Sequence, residues 1–472
     1  MYRGWPMVDV ASDSNCYELL KDSGVESLGV IPQHWKISRF RNLFSFGKGL
    51  NITKDDLQDV GVPCINYGDV HSRFGFEVNP ENNALKCVRE EFLKDNPGSL
   101  LRVGDFVFAD TSEDIEGSGN FSQLTGGELV FAGYHTIVAR PIGSCAKRYL
   151  AYMLDSVAFR DQIRRAVKGV KVYSITKSIL KEPSVWLPPI AEQALISDYL
   201  DRKLVDVSQA IQIKERQIER LKERKQILIQ QAVTRGLDPH ALMQDSGIEW
   251  IGEIPAHWSL QKVKHLSSFI TSGPRGWSDF FSESGAYFLQ SGDLNEDMAV
   301  EWNSAVRVNP CLGAEGLRTR LRGNDVVVCI TGAKTGKAAI AEFIDGREVY
   351  INQHLALIRP VETVVPRYLA LTLHSTVGQT YFFLEQYGLK QGLGLDDVKN
   401  ALVVLPPRDE QEKIVAHVDA QSTLIARGIE LLQQQITKLK EYKATLINSA
   451  VTGKIKVPGV VEPTEIEERE IA

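Results

Sequence analysis

The feature that most restricts the fold of this chain is a long internal repeat. The segment DSGVESLG (22–29) precedes IPQHW (31–35), and DSGIEWIG (245–252) precedes IPAHW (254–258). Four more matches recur at nearly constant spacing: YHTIVARP (134–141) with QHLALIRP (353–360), RYLAYML (148–154) with RYLALTL (367–373), VWLPPIAEQ (185–193) with VVLPPRDEQ (403–411), and QAVTRG (231–236) with SAVTGK (449–454). The chain of 472 residues is therefore built from two homologous halves, which excludes a solenoid of short units.

Each half begins with a globular part. Short apolar segments separated by turn residues predict strands, for example DFVFAD, ELVFAGYHTIVARP, DVVVCITG and EVYINQHLALIRP. The segment RYLAYMLDSVAFRDQIRRAV and its partner in the second half each predict a helix. We therefore predict the α+β class, with two homologous mixed α/β domains.

A long helix follows each globular part. It begins after LPP with acidic residues, which stabilise the positive end of a helix. Apolar residues then recur in alternating steps of four and three, which predicts a coiled-coil seam. The seam residues are Leu200, Leu204, Val207, Ile211, Ile218, Leu221, Leu228, Val418, Ile425, Ile429, Leu432, Ile436, Leu439 and Leu446.

Connectivity predicts that the two long helices are antiparallel, because the first leads to the second domain and the second must return. They would form a two-helix coiled coil of roughly 60 Å that separates the two domains. The alternative is two surface helices, each packed on its own domain.

The repeat also predicts the borders of the segments and a role for its tryptophans. The stretch 233–258 joins a helix end to a domain start, and the chain termini look like the same junction cut open, so 22–35 should lie beside 449–456. Trp35 and Trp258 are then structural anchors. The predicted segments are an N-terminal arm (1–21), the first domain (22–186), a central region with the first long helix and the junction (187–244), the second domain (245–404), a C-terminal region with the second long helix (405–456) and an acidic, disordered tail (457–472).

Composition narrows the class of protein. The hydrophobic share of 43% and the charged share of 24% are typical of globular proteins. No apolar run approaches the ~20 residues of a membrane span, and no secretory signal is recognisable. Six scattered cysteines without a C-x-x-C pair predict reduced thiols in a cytoplasmic protein. The net charge of −6 argues weakly against bulk nucleic-acid binding but leaves local basic surfaces possible.

The sequence also predicts no catalytic residues and no metal site. The segment GAKTGKAA (332–339) resembles a phosphate-binding loop, but only three residues separate Gly332 from Gly336, and Ala338 follows Lys337. No histidine pair has metal-ligand spacing. No glycine-rich loop follows a strand in a way that would bind S-adenosylmethionine.

Taken together, the repeated motifs resemble the specificity (S) subunit of type I restriction–modification systems. The resemblance extends from about residue 20 to about residue 456 and rests on DSGxExxGxIPxHW, LPPxxEQ and AVT in both halves, and on NQHLALIRP in the second. The first half departs from the last motif, with AGYHTIVARP in its place.

The resemblance implies that each domain is a target recognition domain that reads one half of a bipartite double-stranded DNA target. The helices would set the spacer and seat two methyltransferase (modification) subunits, which use S-adenosylmethionine to methylate adenine N6. Restriction subunits would use ATP and Mg to translocate and cut DNA, while this chain would bind no cofactor. The alternative function is a two-headed coiled-coil scaffold for proteins, without nucleic acid.

Polar loops rich in glycine supply the candidate DNA contacts in both domains. Glycine allows backbone to approach phosphate, and Arg, Asn and Gln can form paired hydrogen bonds to base edges. Arg275 and Gln391 are the better candidates for base reading, and the lysines for phosphate contacts. The predicted DNA-binding residues are Lys48, Asn51, Lys54, Tyr67, Ser112, Lys168, Lys171, Tyr173, Arg275, Trp277, Thr331, Lys334, Lys337, Lys390 and Gln391.

Overall fold

The computed structural model describes residues 16–127, 129–167, 172–310, 313–341, 346, 348–386 and 392–463. The chain divides into two compact units. Unit 1 contains the described residues up to Ile213 and those from Gln435 onward, and unit 2 contains Lys214–Gln434. Each unit therefore holds one globular domain together with a part of each long helix.

Unit 1 contains two main sheets and several short strand pairs. Its helices are α1 (Phe40–Leu43), α2 (Phe92–Asp95), α3 (Lys147–Asp155), α4 (Val157–Ala166), α5 (Lys177–Lys181), the start of α6 (Ile190–Arg235) and the end of α11 (Arg408–Val451). Its strands are β1 (Leu20–Asp22), β2 (Val30–Pro32), β3 (Lys36–Arg39), β4 (Phe44–Phe46), β5 (Val62–Ile65), β6 (Phe76–Val78), β7 (Cys87–Val88), β8 (Phe106–Ala109), β9 (Thr111–Ser112), β10 (Phe121–Leu124), β11 (Phe131–Ala132), β12 (Thr136–Pro141), β13 (Tyr173–Ser174) and β14 (Ser184–Leu187).

The larger sheet of unit 1 has the order β4-β12-β8-β10-β6, and a smaller one has the order β11-β5-β7. Strand β8 is buried along its whole length, as its continuous apolar sequence predicts for a strand covered on both faces. Helices α3 and α4 pack on the larger sheet through residues such as Tyr149 and Phe159.

Unit 2 repeats this design. Its helices are the end of α6, α7 (Ala314–Thr319), α8 (Pro366–His374), α9 (Thr376–Glu385), α10 (Leu395–Asn400) and the start of α11 (Arg408–Val451). Its strands are β15 (Met243–Asp245), β16 (Glu253–Pro255), β17 (Ser259–Lys262), β18 (Ser267–Ser272), β19 (Phe281–Ser282), β20 (Ala286–Leu289), β21 (Val306–Val308), β22 (Val326–Cys329), β23 (Ala338–Ile340), β24 (Val349–Ile351), β25 (Leu355–Pro360) and β26 (Leu402–Leu405). They form the sheets β18-β25-β22-β23 and β19-β21-β20-β24 and two strand pairs.

The segment expected to form one helix in each domain forms two. A serine separates the pair: Ser156 between α3 and α4, and Ser375 between α8 and α9. Ser156 has an extended backbone, and its hydroxyl accepts a hydrogen bond from the Phe159 N–H, so it caps a new helix. The apolar spacing typical of a helix continues across this break, because α3 and α4 pack on the same core.

The two long helices follow the predicted seam. Every predicted seam residue is buried or half-buried, whereas the positions on the other faces of α6 and α11 are mostly exposed. In unit 1, Leu200 and Leu204 of α6 share a core with Leu446 of α11. In unit 2, the end of α6 instead shares a core with the start of α11. Pairing of one helix start with the other helix end confirms the antiparallel arrangement, and these ends also join the domain cores.

The described chain ends meet within unit 1. A Cβ on Gly453 would lie 2.3 Å from Pro32 Cδ and 3.3 Å from the Trp35 ring, which confirms that 22–35 lies beside the end of the second helix. The first residues assigned to the acidic tail pack here too. Val457 is 2% exposed, and Glu462 binds both Lys456 (2.9 Å) and the Glu18 N–H (3.0 Å). The packed part of unit 1 therefore extends beyond residue 456, into the first residues of the segment that the sequence predicts to be a disordered tail.

None of the helices that the structure describes combines the length and the apolarity needed to cross a membrane.

Candidate nucleic-acid interface

The repeated His-Trp pair binds a carboxylate at the start of a long helix. In unit 1, the Trp35 Nε1–H donates to Glu192 Oε1 (2.9 Å), and His34 Nε2 lies 2.7 Å from Glu192 Oε2. The Tyr17 hydroxyl also donates to Glu192 (2.6 Å). Burial, together with this hydrogen bond, raises the pKa of the Tyr17 phenol, so it stays a donor. Glu192, in the first turn of α6, thus accepts hydrogen bonds from the N-terminal part of unit 1.

Unit 2 repeats this arrangement with Glu410. Trp258 Nε1–H donates to Glu410 Oε2 (2.9 Å), and His257 Nε2 lies 2.8 Å from Glu410 Oε1. We call each of these sets, His34–Trp35–Glu192 and His257–Trp258–Glu410, a carboxylate clamp. Trp35 is 0% exposed and Trp258 is 3% exposed, in agreement with a structural role.

The glutamine of LPPxxEQ joins the same helix start to the domain. Gln193 accepts a hydrogen bond from the Ala146 N–H (3.0 Å), and Gln411 accepts one from the Val365 N–H (2.8 Å). Both amide groups also donate to a carbonyl of the LPP segment. Each domain is therefore held on its helix by neighbouring side chains, which explains why these motifs recur together.

A second repeated contact supports the sheet that contains β8 and β12 in unit 1 and the sheet that contains β22 and β25 in unit 2. Arg140 Nε donates to Asp105 Oδ2 (2.9 Å), and Arg359 Nε donates to Asp325 Oδ1 (2.9 Å). Asp105 is 2% exposed and Asp325 is 1% exposed, so each carboxylate depends on its arginine for charge compensation. These pairs account for the arginine in the YHTIVARP and QHLALIRP segments of the repeat and for the aspartate in the matching segments GD (104–105) and ND (324–325).

In unit 1, several of the predicted loops meet at one edge of the sheets. Gly49 N–H donates to Thr136 O (3.1 Å), Tyr67 N–H to Tyr134 O (3.4 Å) and Ile175 N–H to Asp110 O (2.7 Å). We call this surface, formed by residues 47–54, 66–70, 110–112, 133–135 and 173–175, edge 1. A Cβ on Gly49 would lie 1.9 Å from Gly133 O, so only glycine permits this close approach.

Unit 2 forms the equivalent edge. Gly273 N–H donates to Leu355 O (3.3 Å), Ile330 N–H to His354 O (2.8 Å) and Leu393 N–H to Ile330 O (2.7 Å). We call the surface formed by residues 271–277, 290–293, 330–337, 352–354 and 392–393 edge 2. Separate loops that each follow a strand end are thus gathered on one side of each domain.

Several predicted contact residues are accessible on these edges. On edge 1, Lys48, Asn51 and Lys54 are exposed, and Tyr67 and Tyr173 are half-buried. On edge 2, Arg275 is exposed beside Gly276, whose φ of 76° turns the loop. Lys168, Lys171, Lys390 and Gln391 lie outside the described residues.

Two predicted contact residues are buried instead. Ser112 is 4% exposed, and its hydroxyl donates to Asp114 O (2.6 Å). Trp277 is 3% exposed and stacks on Phe288 with ring centroids 5.7 Å apart. Their burial corrects the prediction, because neither side chain can reach a ligand in this conformation. Glycine-rich surroundings predict exposure, but strand pairing covers Ser112, and an aromatic core covers Trp277.

Three further predicted residues on edge 2 bind other parts of the protein. Lys334 donates to Gly292 O (2.7 Å) and Leu294 O (2.9 Å), and Lys337 lies 2.5 Å from Glu296 Oε1. The hydrogen bond from Lys337 is the main reason that the pKa of Glu296 is lowered. Thr331 forms a hydrogen bond with His354 Nδ1. These side chains position loops, which a spacing pattern could not distinguish from phosphate contacts.

Residues that the sequence pattern missed also occupy the edges. Asp110, Tyr134 and His135 lie on edge 1, and Gln353 lies on edge 2. Tyr134, His135 and Gln353 fall where GYH replaces NQH, the part of the repeated motif that differs between the halves. This local difference is the sequence signal that could have identified these positions. The residues that follow it are similar in both halves because they form the equivalent strands β12 and β25.

Neither edge shows the arrangement of a reactive centre. Among the residues that the structure describes, no cluster of three His, Cys, Asp or Glu side chains could hold a metal. Burial raises the pKa of the Cys64 thiol near edge 1 to about 12, so it stays protonated at neutral pH. The described edges offer hydrogen-bonding groups and cations, which suit recognition.

Comparison with known proteins decides the family. The profile of the family described as type I restriction modification DNA specificity domain matches residues 32–223 and 286–441. The chain belongs to this family. The assignment confirms the predicted resemblance and places the chain in a class of DNA-recognition subunits that are not themselves catalytic. The matched ranges include edge 1, most of edge 2 and much of both long helices.

Relatives and a solved structure agree with this assignment. The chain is 27% identical to the type I restriction enzyme EcoBI specificity subunit of Escherichia coli over 282 residues, which span 58% of each protein. It is 21% identical to the EcoKI specificity subunit of Escherichia coli (strain K12), over 83% of each protein. A solved structure from work on complex assembly and conformational transition of the type I R-M system matches with a TM-score of 0.65 and 15% identity, covering 89% of this chain and 98% of the other. This last match confirms the fold.

Proposed function

We propose that this chain is the DNA sequence-specificity subunit of a type I restriction–modification enzyme, and that edges 1 and 2 each read one half of a bipartite target. The family assignment supports DNA recognition. The two edges have the same backbone frame, because equivalent hydrogen bonds join equivalent loops in both units. Their exposed side chains differ, with Lys48 on edge 1 and Arg275 on edge 2.

The single observation that carries this proposal is that the two edges share one backbone arrangement but expose different side chains. A frame that recurs can present its loops to the same groove of DNA twice. A lining that differs makes the two contacts selective for different bases, because base edges are distinguished by their donor and acceptor patterns. A protein that binds two copies of one ligand would need two similar linings.

We further propose that the helix pair seats two methyltransferase subunits and that restriction subunits join the same assembly. Exposed apolar side chains on the helices support a protein-binding surface: Ile227 is 56% exposed, Leu424 63% and Leu431 51%. S-adenosylmethionine, ATP and Mg would then act on the partner subunits, and the cytoplasm would be the site of action. The borders predicted above for the recognition domains and helical regions belong to this proposal.

The test is DNA binding by the chain assembled with its methyltransferase subunits. Binding to one bipartite sequence should weaken steeply between about 50 and 200 mM salt, because phosphate contacts release counterions. Mapping methylated adenines in cells with and without this chain should show one bipartite motif that disappears with the chain. A complex that assembles but binds no DNA would favour the scaffold function instead.

A further inference from the structure

Asp110 on edge 1 and Ile330 on edge 2 occupy the same backbone position. Asp110 N–H donates to His135 O (3.0 Å), and Asp110 O accepts from Ile175 N–H (2.7 Å). Ile330 makes the same two bonds, to His354 O (2.8 Å) and from Leu393 N–H (2.7 Å). Both residues directly follow an inner strand of a sheet, β8 or β22.

The chemistry at this shared position is opposite in the two units. Ile330 is 6% exposed and belongs to the domain core. The Asp110 side chain is 28% exposed and carries a carboxylate at the surface of edge 1. A carboxylate is an acceptor only, and on a surface that approaches DNA phosphates it is repelled unless it receives a hydrogen bond. Its presence there therefore requires a donor.

The carboxylate of Asp110 is held in place by an imidazole. His135 Nδ1 lies 3.2 Å from Asp110 Oδ1, and His135 has a φ of 55°, a left-handed conformation that is uncommon outside glycine. The rings of Tyr67 and Tyr134 lie 5.8 and 5.9 Å from the His135 ring. The other oxygen, Oδ2, receives no hydrogen bond from the part of the chain that the structure describes. Backbone strain kept beside a fixed side chain is a feature of binding sites.

We propose that Asp110 reads a cytosine in the first half-site by accepting a hydrogen bond from its N4 amino group. This inference rests on the proposed function. Cytosine presents only this donor in the major groove, whereas thymine O4 and guanine O6 and N7 are acceptors that a carboxylate repels. Adenine presents an amino group beside the acceptor N7, which suits an amide better than a carboxylate. Asp110 therefore selects cytosine and also rejects its competitors.

Asp110→Asn tests this assignment. The amide is nearly isosteric and adds a donor, so cytosine should lose its advantage by roughly 5- to 150-fold at one position, and adenine should gain. The measurement is a methylated-adenine map in cells, together with selection of bound sequences from random DNA by the purified complex. Asp110→Glu keeps the carboxylate, and its map should retain cytosine with weaker methylation.

Glu113→Gln is the matched control, because Glu113 is exposed in the same loop and the change removes the same charge. It should strengthen binding to all DNA slightly and leave the motif unchanged. An unchanged motif in a folded Asp110→Asn complex would overturn the inference, as would a relaxed position that held a base other than cytosine. If Asp110→Asn does not fold, Asp110→Ser supplies the same comparison. A wild-type complex that directs no methylation would instead refute the proposed function.

Discussion

At the scale of single residues, the carboxylate clamps differ in how far water can reach them. The Glu192 side chain is 6% exposed and accepts from three donors, including Tyr17. The Glu410 side chain is 33% exposed and accepts from His257 and Trp258. Water can replace a lost donor at Glu410 far more easily than at Glu192. Equal substitutions at the two tryptophans should therefore have unequal consequences.

Trp35→Phe should lower the free energy of unfolding of unit 1 by about 2 kcal/mol, because Glu192 loses a donor in a buried place. Trp258→Phe should lower that of unit 2 by less than half as much. Amide hydrogen exchange in the first turns of α6 and α11 measures the two losses separately. Equal losses would show that ring packing, which both substitutions reduce alike, outweighs the hydrogen bond.

Arg275→Ala should change recognition in only one half of the target, because Arg275 belongs to edge 2. If its guanidinium binds guanine, discrimination at one base pair should fall by about 1–3 kcal/mol. The measurement is selection of bound sequences by the purified complex. Lys262→Ala, an exposed cation on β17 of the same unit, is the control and should leave the motif unchanged. A uniform loss of affinity with a shallower salt dependence would make Arg275 a phosphate contact.

At the scale of elements, the helix pair depends on its narrow seam. Ile218 is 7% exposed and Ile436 is 9% exposed, although each lies on a helix with long exposed faces. Aspartate at either position would place a charge in the seam without a partner, which should cost several kcal/mol. Thermal unfolding should occur at lower temperature, and assembly with methyltransferase subunits should weaken in sedimentation experiments.

Ile227→Asp provides the matched control for the seam. Ile227 lies on the same helix as Ile218 but is 56% exposed, so stability should change little. If Ile227 contacts a partner subunit, assembly alone should weaken. Unchanged stability in both Ile218→Asp and Ile436→Asp would rule out a helix–helix seam at these positions.

The helices were predictable from sequence for a physical reason that does not extend to the edges. Seam residues such as Leu204 recur at the spacing of a helix in a coiled coil, so the sequence spacing alone predicts which residues are buried. Ser112 lies in a two-residue strand and Trp277 in a short 3-10 helix, where burial depends on contacts with residues far along the chain, Tyr173 and Tyr350. For the same reason the sequence does not predict the contact of Asp110 with His135, because His135 follows a different strand. Repetition made the clamp tryptophans Trp35 and Trp258 predictable as structural anchors, whereas their histidine and glutamate partners became visible only in the structure.

At the scale of the whole molecule, we expect the helix pair to set the gap between half-sites. Inserting seven residues after Leu221 and seven after Leu439 keeps the seam in register and lengthens the pair by roughly 10 Å. At ~3.4 Å per base pair, the preferred spacer should grow by about three base pairs while both half-sites stay the same. A methylation map of the variant measures the spacer.

Four-residue insertions at the same positions are the control for added length. They break the heptad pattern, so the complex should lose methylation activity without gaining a new spacer. An unchanged spacer and full activity after the seven-residue insertions would show that something other than this helix pair positions the two domains.

The duplicated clamps also affect how genes of this kind can diversify. Each domain is closed by its own tryptophan, histidine and glutamate, and strands at its two ends pair with each other, β3 with β14 and β17 with β26. A crossover between related genes within the coding sequence of α6, after the codon of Glu192, would keep edge 1 with its clamp and exchange edge 2 together with its own clamp. Under the proposed function, recombination at one short shared sequence would therefore create a new target specificity in a single event, without the gradual change of a binding surface.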